Sequence, residues 1–167
     1  MTSVCSSVMG LAVRIAVVAC VMIIAFAGAR TVVSWYKRVM QMLALIAHDR
    51  MKDRIVSFCE SHRETLERFD LIATGTTGSR IAEATGLSVT CMLSGPVGGD
   101  AQIAAQVATG GVHAVIFLVD PLHAHPHEPD IQGLMRVCNV HEVPFATNAP
   151  AADLLLSAIT AQQATQR

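Results

Sequence analysis

The chain has 167 residues, room for one domain and an appendage, with 52% hydrophobic and 15% charged residues and a formal net charge of −1. That balance offers no electrostatic footprint for nucleic acid, and a single Trp and a single Tyr leave no surface on which bases could stack. The five cysteines (Cys5, Cys20, Cys59, Cys91, Cys138) are odd in number and none are spaced CxxC, which argues against a disulfide framework and a structural zinc site.

The apolar excess sits largely in the first forty residues. Residues 8–29 are apolar except for Arg14, and Arg30, Lys37 and Arg38 follow. The uninterrupted part, 15–29, falls short of the ~20 residues a bilayer-spanning helix needs. Extending it past Arg14 reaches full length at a cost of roughly 2.5–3.5 kcal/mol for the buried cation. Two readings stand. One is an apolar helix anchored in the inner membrane through residues 8–29, with the downstream cations holding the domain in the cytoplasm. The other is translated sequence upstream of a start at Met40 or Met42. The expected division is an apolar segment 1–41, a catalytic domain 42–160 and a short polar tail 161–167, with 41–167 alone sufficient for the site.

From Met42 the texture becomes a regular alternation. The runs MLALIA (42–47), DLIAT (70–74), SVTCML (88–93), VHAVIFLV (112–119) and PFATN (144–148) are short, nearly continuous in apolar residues and bounded by turn residues. That is the pattern of strands buried on both faces of a parallel sheet. Between them, helical stripes recur: Met51, Ile55, Phe58 and Cys59; Ile81, Ala82 and Ala84, ending at Gly86 as C-cap; Ile103, Ala104 and Val107, ending at Gly110 and Gly111; Ile131, Leu134, Met135 and Cys138; and a last helix with Pro150 in its first turn and an apolar run at 154–156. The spacing predicts a three-layer, doubly wound α/β domain around a mainly parallel five-stranded sheet.

In such a sheet ligands bind beyond the carboxyl ends of the strands. The residues there are His48 and Asp49, with Lys52 one turn on; Thr74, Gly75, Thr76, Thr77 and Gly78; Ser94, Gly95 and the run to Asp100; Asp120, then His127 and Asp130; and Asn148. The TGTTG and SGPVGGD loops put glycines and hydroxyls at helix N-termini, where free N–H groups favour an anion, and Lys52 adds a charge. Asp100 is either a general base or a helix N-cap. Asp49, Asp120 and Asp130 carry the same ambiguity, and His113 and His141 read as structural. The cluster His123, His125 and His127 invites a metal, but its spacing is not that of a catalytic zinc site, and His123 and His125 have no role in the chemistry below.

AHD at 47–49, TGTTG, SGPVGGD, DPLHAHPHEPD and PFATN, in this order and spacing, resemble the methylglyoxal synthases over residues 42–157. The resemblance implies a homohexameric enzyme without metal or organic cofactor. It would convert dihydroxyacetone phosphate to methylglyoxal and inorganic phosphate through an enediolate. It implies that Asp100 is the base. His48, Lys52, Thr74, Gly75, Thr76, Thr77, Ser94, Gly95 and His127 would contact substrate, with His127 or His48 bonding the oxygens where charge grows. Asp49, Asp120 and Asp130 would be supporting carboxylates. Family members often continue into a further strand and a basic tail that reaches a neighbouring subunit. This chain stops at Arg167, so the resemblance carries over neither those contacts nor phosphate regulation. The alternative is a non-catalytic domain of the same fold that binds phosphorylated effectors; Asp100, His127 and the Asp120-Pro121 pair favour the enzyme. A receiver-like signalling domain fits poorly, lacking an acidic cluster after the first strand.

Overall fold

The structure is a computed structural model that describes residues 41–123 and 128–165, and its compact unit opens at Gln41. Strand β1 (Met42–Ala47) runs through a 3-10 turn (Asp49–Met51) into α1 (Lys52–Ser61) and the short α2 (Arg63–Leu66). There follow β2 (Asp70–Ala73), α3 (Gly75–Thr85), β3 (Val89–Cys91), a 3-10 turn (Gly95–Val97), α4 (Gly99–Ala108), β4 (Val112–Leu118), α5 (Glu128–Val140), β5 (Phe145–Ala146) and α6 (Ala149–Thr165).

All pairings are parallel, in the order β3-β2-β1-β4-β5. The chain builds outward from β1 to β3, then returns to the other side of β1 for β4. The order therefore reverses between β1 and β4, and the crevice above that point is where an open α/β sheet binds ligand. The expected doubly wound, three-layer architecture is the one observed.

The two-residue period of β1 explains its unbroken apolar run. Leu43, Leu45 and Ala47 join Ile55 and Phe58 of α1, Ile81 of α3 and Leu156 of α6 on one face. Ala44 and Ile46 join Ile103 and Val107 of α4 and Ile131, Leu134 and Cys138 of α5 on the other. Each fully buried aliphatic side chain here contributes about 1.5–3 kcal/mol relative to exposure. The sheet under the site is thus held rigidly from both sides.

The edge strands are shorter than their sequence runs. Beyond Cys91 the Met92 amide still bonds the Ala73 carbonyl at 2.7 Å, but the chain then turns, and the Leu93 carbonyl accepts from Gly75 N–H at 3.1 Å. Gly86 caps α3 at φ 72°, as its sequence position predicts. In α6 the apolar run 154–156 divides. Leu156 is buried with Ala152, one helical turn away, while Leu154 is 75% exposed. The same helix carries on through Thr165, taking in the first residues of the expected tail.

The expected membrane anchoring is corrected. Among the described residues no helix is long and apolar enough to cross a membrane. The longest, the 17-residue α6, is shorter than a span requires and carries Asp153, Gln162 and Gln163. Residues 8–29, where the apolar N-terminal helix was expected, lie outside the described residues.

Candidate active site

The site is built at the sheet reversal. As β1 ends, the His48 amide bonds the Leu118 carbonyl of β4 at 3.1 Å, carrying the ladder one residue past the strand. The His48 ring turns into the gap between the strands, 4% exposed, edge-on to Phe117 with ring centroids 4.9 Å apart. Its Nδ1 accepts the main-chain N–H of Asp120 at 2.9 Å. Above these residues lies a cavity of about 250 Å³, lined by Ile46, Ala47, His48, Asp49, Lys52, Thr74, Thr76, Ser94, Gly95, Pro96, Asp100 and Phe117. Its size is below the roughly 300–1,000 Å³ typical of drug-sized ligands and suits a small molecule.

One wall is cationic and rich in hydroxyls. Lys52, the first residue of α1, places Nζ 2.6 Å from Asp49 Oδ1 and donates to Thr76 Oγ1 at 2.5 Å. Its side chain is largely buried while that of Asp49 is open to solvent. Thr74 is the N-cap residue of α3, but its hydroxyl makes no cap bond; it lies 3.3 Å from Thr77 Oγ1. Thr77 is buried below the cavity and donates to the Ala47 carbonyl at 3.5 Å, tying the loop to β1. The amides of Thr76 and Thr77, which helix geometry leaves without an intrahelical acceptor, mark the positive end of α3. Gly75 has a different task from the one its sequence context suggests. Its N–H is engaged by Leu93, and a Cβ there would stand 3.1 Å from the Met92 carbonyl oxygen. It lets α3 lie against the end of β3.

Asp100 is brought in by α4. It is 1% exposed and lines the cavity from the first turn of the helix. The N-cap alternative fails, because the cap position belongs to Gly98, which sits at φ 98°. The two glycines before Asp100 have separate physical reasons. Gly98 adopts a backbone conformation disfavoured for other residues. Gly99 makes room: a Cβ there would lie 1.9 Å from the Leu93 carbonyl oxygen. Its amide bonds the Ser94 carbonyl at 3.0 Å, and Gln102 Oε1 accepts from Leu93 N–H at 2.8 Å. The start of α4, and with it Asp100, is therefore clamped to the segment carrying Ser94 and Gly95.

Asp120 acts beside the cavity. Its Oδ1 accepts Leu122 N–H at 3.1 Å, and its Oδ2 lies 3.0 Å from His123 Nδ1. The Leu122 amide first, then the nearby His123 and Arg50, hold its carboxyl below the usual aspartate range, against the opposing effect of desolvation. His123, which has no role in the sequence-based scheme, thus supports the turn that carries the Asp120 amide, with Arg50 Nη1 3.2 Å from the same ring nitrogen. Asp130 is exposed in the first turn of α5 and does not line the cavity. Asn148 leaves the site altogether: its Oδ1 accepts Ala151 N–H at 3.0 Å, a cap for α6. His127 and His125 lie outside the described residues. Among the described residues no group of three His, Cys, Asp or Glu could hold a metal ion. Sequence reasoning missed Phe117, whose place in the β4 alternation carries the only signal for it. It also missed Arg80, which pairs with Asp53 beside an open cleft that Lys52 and Thr76 also line.

Comparison with known proteins shows what the chain is similar to. Residues 54–147 match the model of the MGS-like domain family. The chain is 64% identical over 118 residues to a methylglyoxal synthase of Thermus thermophilus, covering 71% of this chain and 94% of that one. It is 57% identical over 122 residues to a methylglyoxal synthase of Cupriavidus pinatubonensis, covering 73% and 94%. The crystal structure of methylglyoxal synthase from Elizabethkingia anophelis superposes with a TM-score of 0.67 at 41% identity, over 71% of this chain and 78% of that one.

Proposed function

The chain belongs to the methylglyoxal synthase family, and we propose that the cavity between β1 and β4 is where it converts dihydroxyacetone phosphate to methylglyoxal and inorganic phosphate. The enzyme is a carbon–oxygen lyase. One observation carries the placement of its chemistry. A buried carboxylate, Asp100, and a buried imidazole, His48, share a small cavity with Lys52 and the hydroxyl of Thr76. A base, a hydrogen-bond donor and an anion-binding wall within one small volume suit a compact phosphate ester.

The phosphoryl group rests against Lys52, Thr76, the first-turn amides of α3 and the segment at Ser94 and Gly95, with Thr74, Gly75 and Thr77 shaping that wall. Asp100 takes a proton from the hydroxymethyl carbon, and the C–H electrons form the enediolate double bond to the former carbonyl carbon. Protein N–H donors stabilise the oxygen that gains charge; His48 is one, and His127 is assigned the same duty. The enediolate electrons then expel phosphate by breaking the carbon–oxygen ester bond. The hydroxyl proton passes to the departing phosphate, Asp100 returns its proton to the enolate oxygen, and the enol aldehyde so released ketonises to methylglyoxal. Asp49 orients Lys52, Asp120 orients His48, and Asp130 is assigned a supporting role from α5. The scheme uses only groups of the protein itself. The assembly is a homohexamer, and inorganic phosphate competes with substrate for the cationic wall.

The purified full-length chain, given dihydroxyacetone phosphate, should release methylglyoxal and phosphate in equal amounts. Sedimentation should give six copies. Phosphorylated ligands bound without any product would replace this reading with that of a non-catalytic effector domain.

A further inference from the structure

The sequence and the cavity leave the protonation state of His48 open, yet that state decides what the residue does. An imidazolium beside an enediolate transfers its proton and yields the neutral enediol, whose electrons are less available to expel phosphate. A neutral imidazole that donates N–H stabilises the oxygen and keeps the charge where elimination needs it. The geometry around the ring separates the two.

A main-chain amide nitrogen has a proton to give and no lone pair to accept with. Asp120 N lies 2.9 Å from His48 Nδ1. The ring nitrogen must therefore be the acceptor, and it carries no proton. An imidazolium would set Nδ1–H against the amide N–H at that distance. The arrangement is not left to a mobile loop. On one side, the His48 amide is bonded to the Leu118 carbonyl at 3.1 Å and the ring is packed edge-on to Phe117. On the other, the Asp120 carboxylate closes its own turn through Leu122 N–H at 3.1 Å and His123 at 3.0 Å.

We propose that His48 works as a permanently neutral Nε2–H donor whose tautomer is fixed by the Asp120 main-chain amide. Asp120 is then a positioning residue that acts on substrate through His48. The proposal deepens the functional reading above and rests on it for the identity of the oxygen addressed. Triosephosphate isomerase, which also forms an enediolate, likewise works through a neutral imidazole, kept so by a helix N-terminus. Among the described residues, the charged groups beside the ring are Asp49 and Lys52 after β1, paired at 2.6 Å, Asp100 on α4 and Asp120 after β4. The carboxylates among them favour a proton on the ring and the amide opposes it. The amide prevails across the ordinary histidine range.

The test is nitrogen NMR of the full-length enzyme labelled in its histidines, with His48 assigned through its own ring-to-Cβ couplings. Its Nδ1 should show the shift of an unprotonated ring nitrogen, and Nε2 that of a protonated one. Both should stay unchanged from pH 8 to 5.5 while added free histidine titrates near its usual value of about 6.5. A His48 ring that charges in that interval, or one protonated on Nδ1, would overturn the proposal. Kinetics give a second reading. His48→Gln keeps an N–H donor near the Nε2 position, whereas His48→Asn reaches only to the Nδ1 position. The Gln variant should be faster than the Asn variant in kcat by roughly 10- to 150-fold, the worth of one hydrogen bond to charge. Equal loss in the two would also count against it. A wild-type enzyme that makes no methylglyoxal but shows the locked tautomer would sink the functional reading alone.

Discussion

Replacing Gly99 with alanine separates the packing that positions Asp100 from the chemistry proposed for it. The added Cβ would stand 1.9 Å from the Leu93 carbonyl oxygen, 2.8 Å from its carbon and 3.0 Å from the Ser94 carbon. Carbon–oxygen contacts close to no less than about 3.3 Å, so α4 and the β3 end must separate by over ~1 Å. Both partners are backbone, so no side-chain rotation relieves the clash. Overpacking of this kind costs about 1–3 kcal/mol of stability. Asp100 is the next residue, and a displacement near 1 Å of a catalytic group costs on the order of 10²-fold in rate. Gly86→Ala is the control. That site is at φ 72° with nothing within 4 Å of an added Cβ, so it suffers backbone strain of roughly 1–2 kcal/mol without a clash. Thermal melts and initial rates of methylglyoxal formation should show both variants destabilised but only Gly99→Ala slowed. A Gly99→Ala enzyme that is folded and turns over like wild type would refute the argument that this contact sets Asp100 in place.

Asp100→Asn should fold normally and lose about 10²–10⁴-fold in kcat, the worth of a general base; near-native turnover would remove Asp100 from that role. Lys52→Ala and Thr76→Ala should each weaken inorganic phosphate binding, measured calorimetrically, by about 1.5–3 kcal/mol, since both lose a hydrogen bond to charge; unchanged affinity in both would move the phosphate elsewhere. Because the folded Asp120 carboxyl sits below its ordinary range, its charge contributes stability that is fully present above about pH 4 and is lost as pH falls through the lower folded value. The melting-temperature gap between wild type and Asp120→Asn should hold above that pH and close below it. A gap that widens on acidification would contradict the direction of the shift. Burial pushes the Cys59 thiol up to about 12 and the Cys138 thiol up to about 11. Iodoacetamide at pH 8 followed by peptide mass mapping should therefore find exposed Cys91 modified and these two untouched.

The sequence by itself determined the sheet and the chemistry-bearing residue types. Continuous apolar runs such as 42–47 and 112–119 have no polar face to turn to water, so they must lie within a parallel sheet covered on both sides, and ligand residues must then gather past the strand ends. The order of the AHD, TGTTG, SGPVGGD and DPL segments carried the family and, through it, the proposal of Asp100 as base. Local pattern could not separate residues that share an address at the sheet edge. Asn148 and His48 both follow a strand, yet one caps α6 and the other lines the cavity, because that depends on which neighbouring amide each side chain meets. Gly75 and Gly99 read as ligand-approach glycines, but the space they clear is filled by backbone of the β3 end. His123 read as dispensable until the turn after β4 set it against Asp120. In each case the deciding partner is remote in sequence or fixed by a turn, and its position follows from the strand order, which sets β4 beside β1. Periodicity reports which way a side chain faces along its own element. Only the assembled sheet brings the amide after one strand to the imidazole after another, and that contact fixes the state of His48.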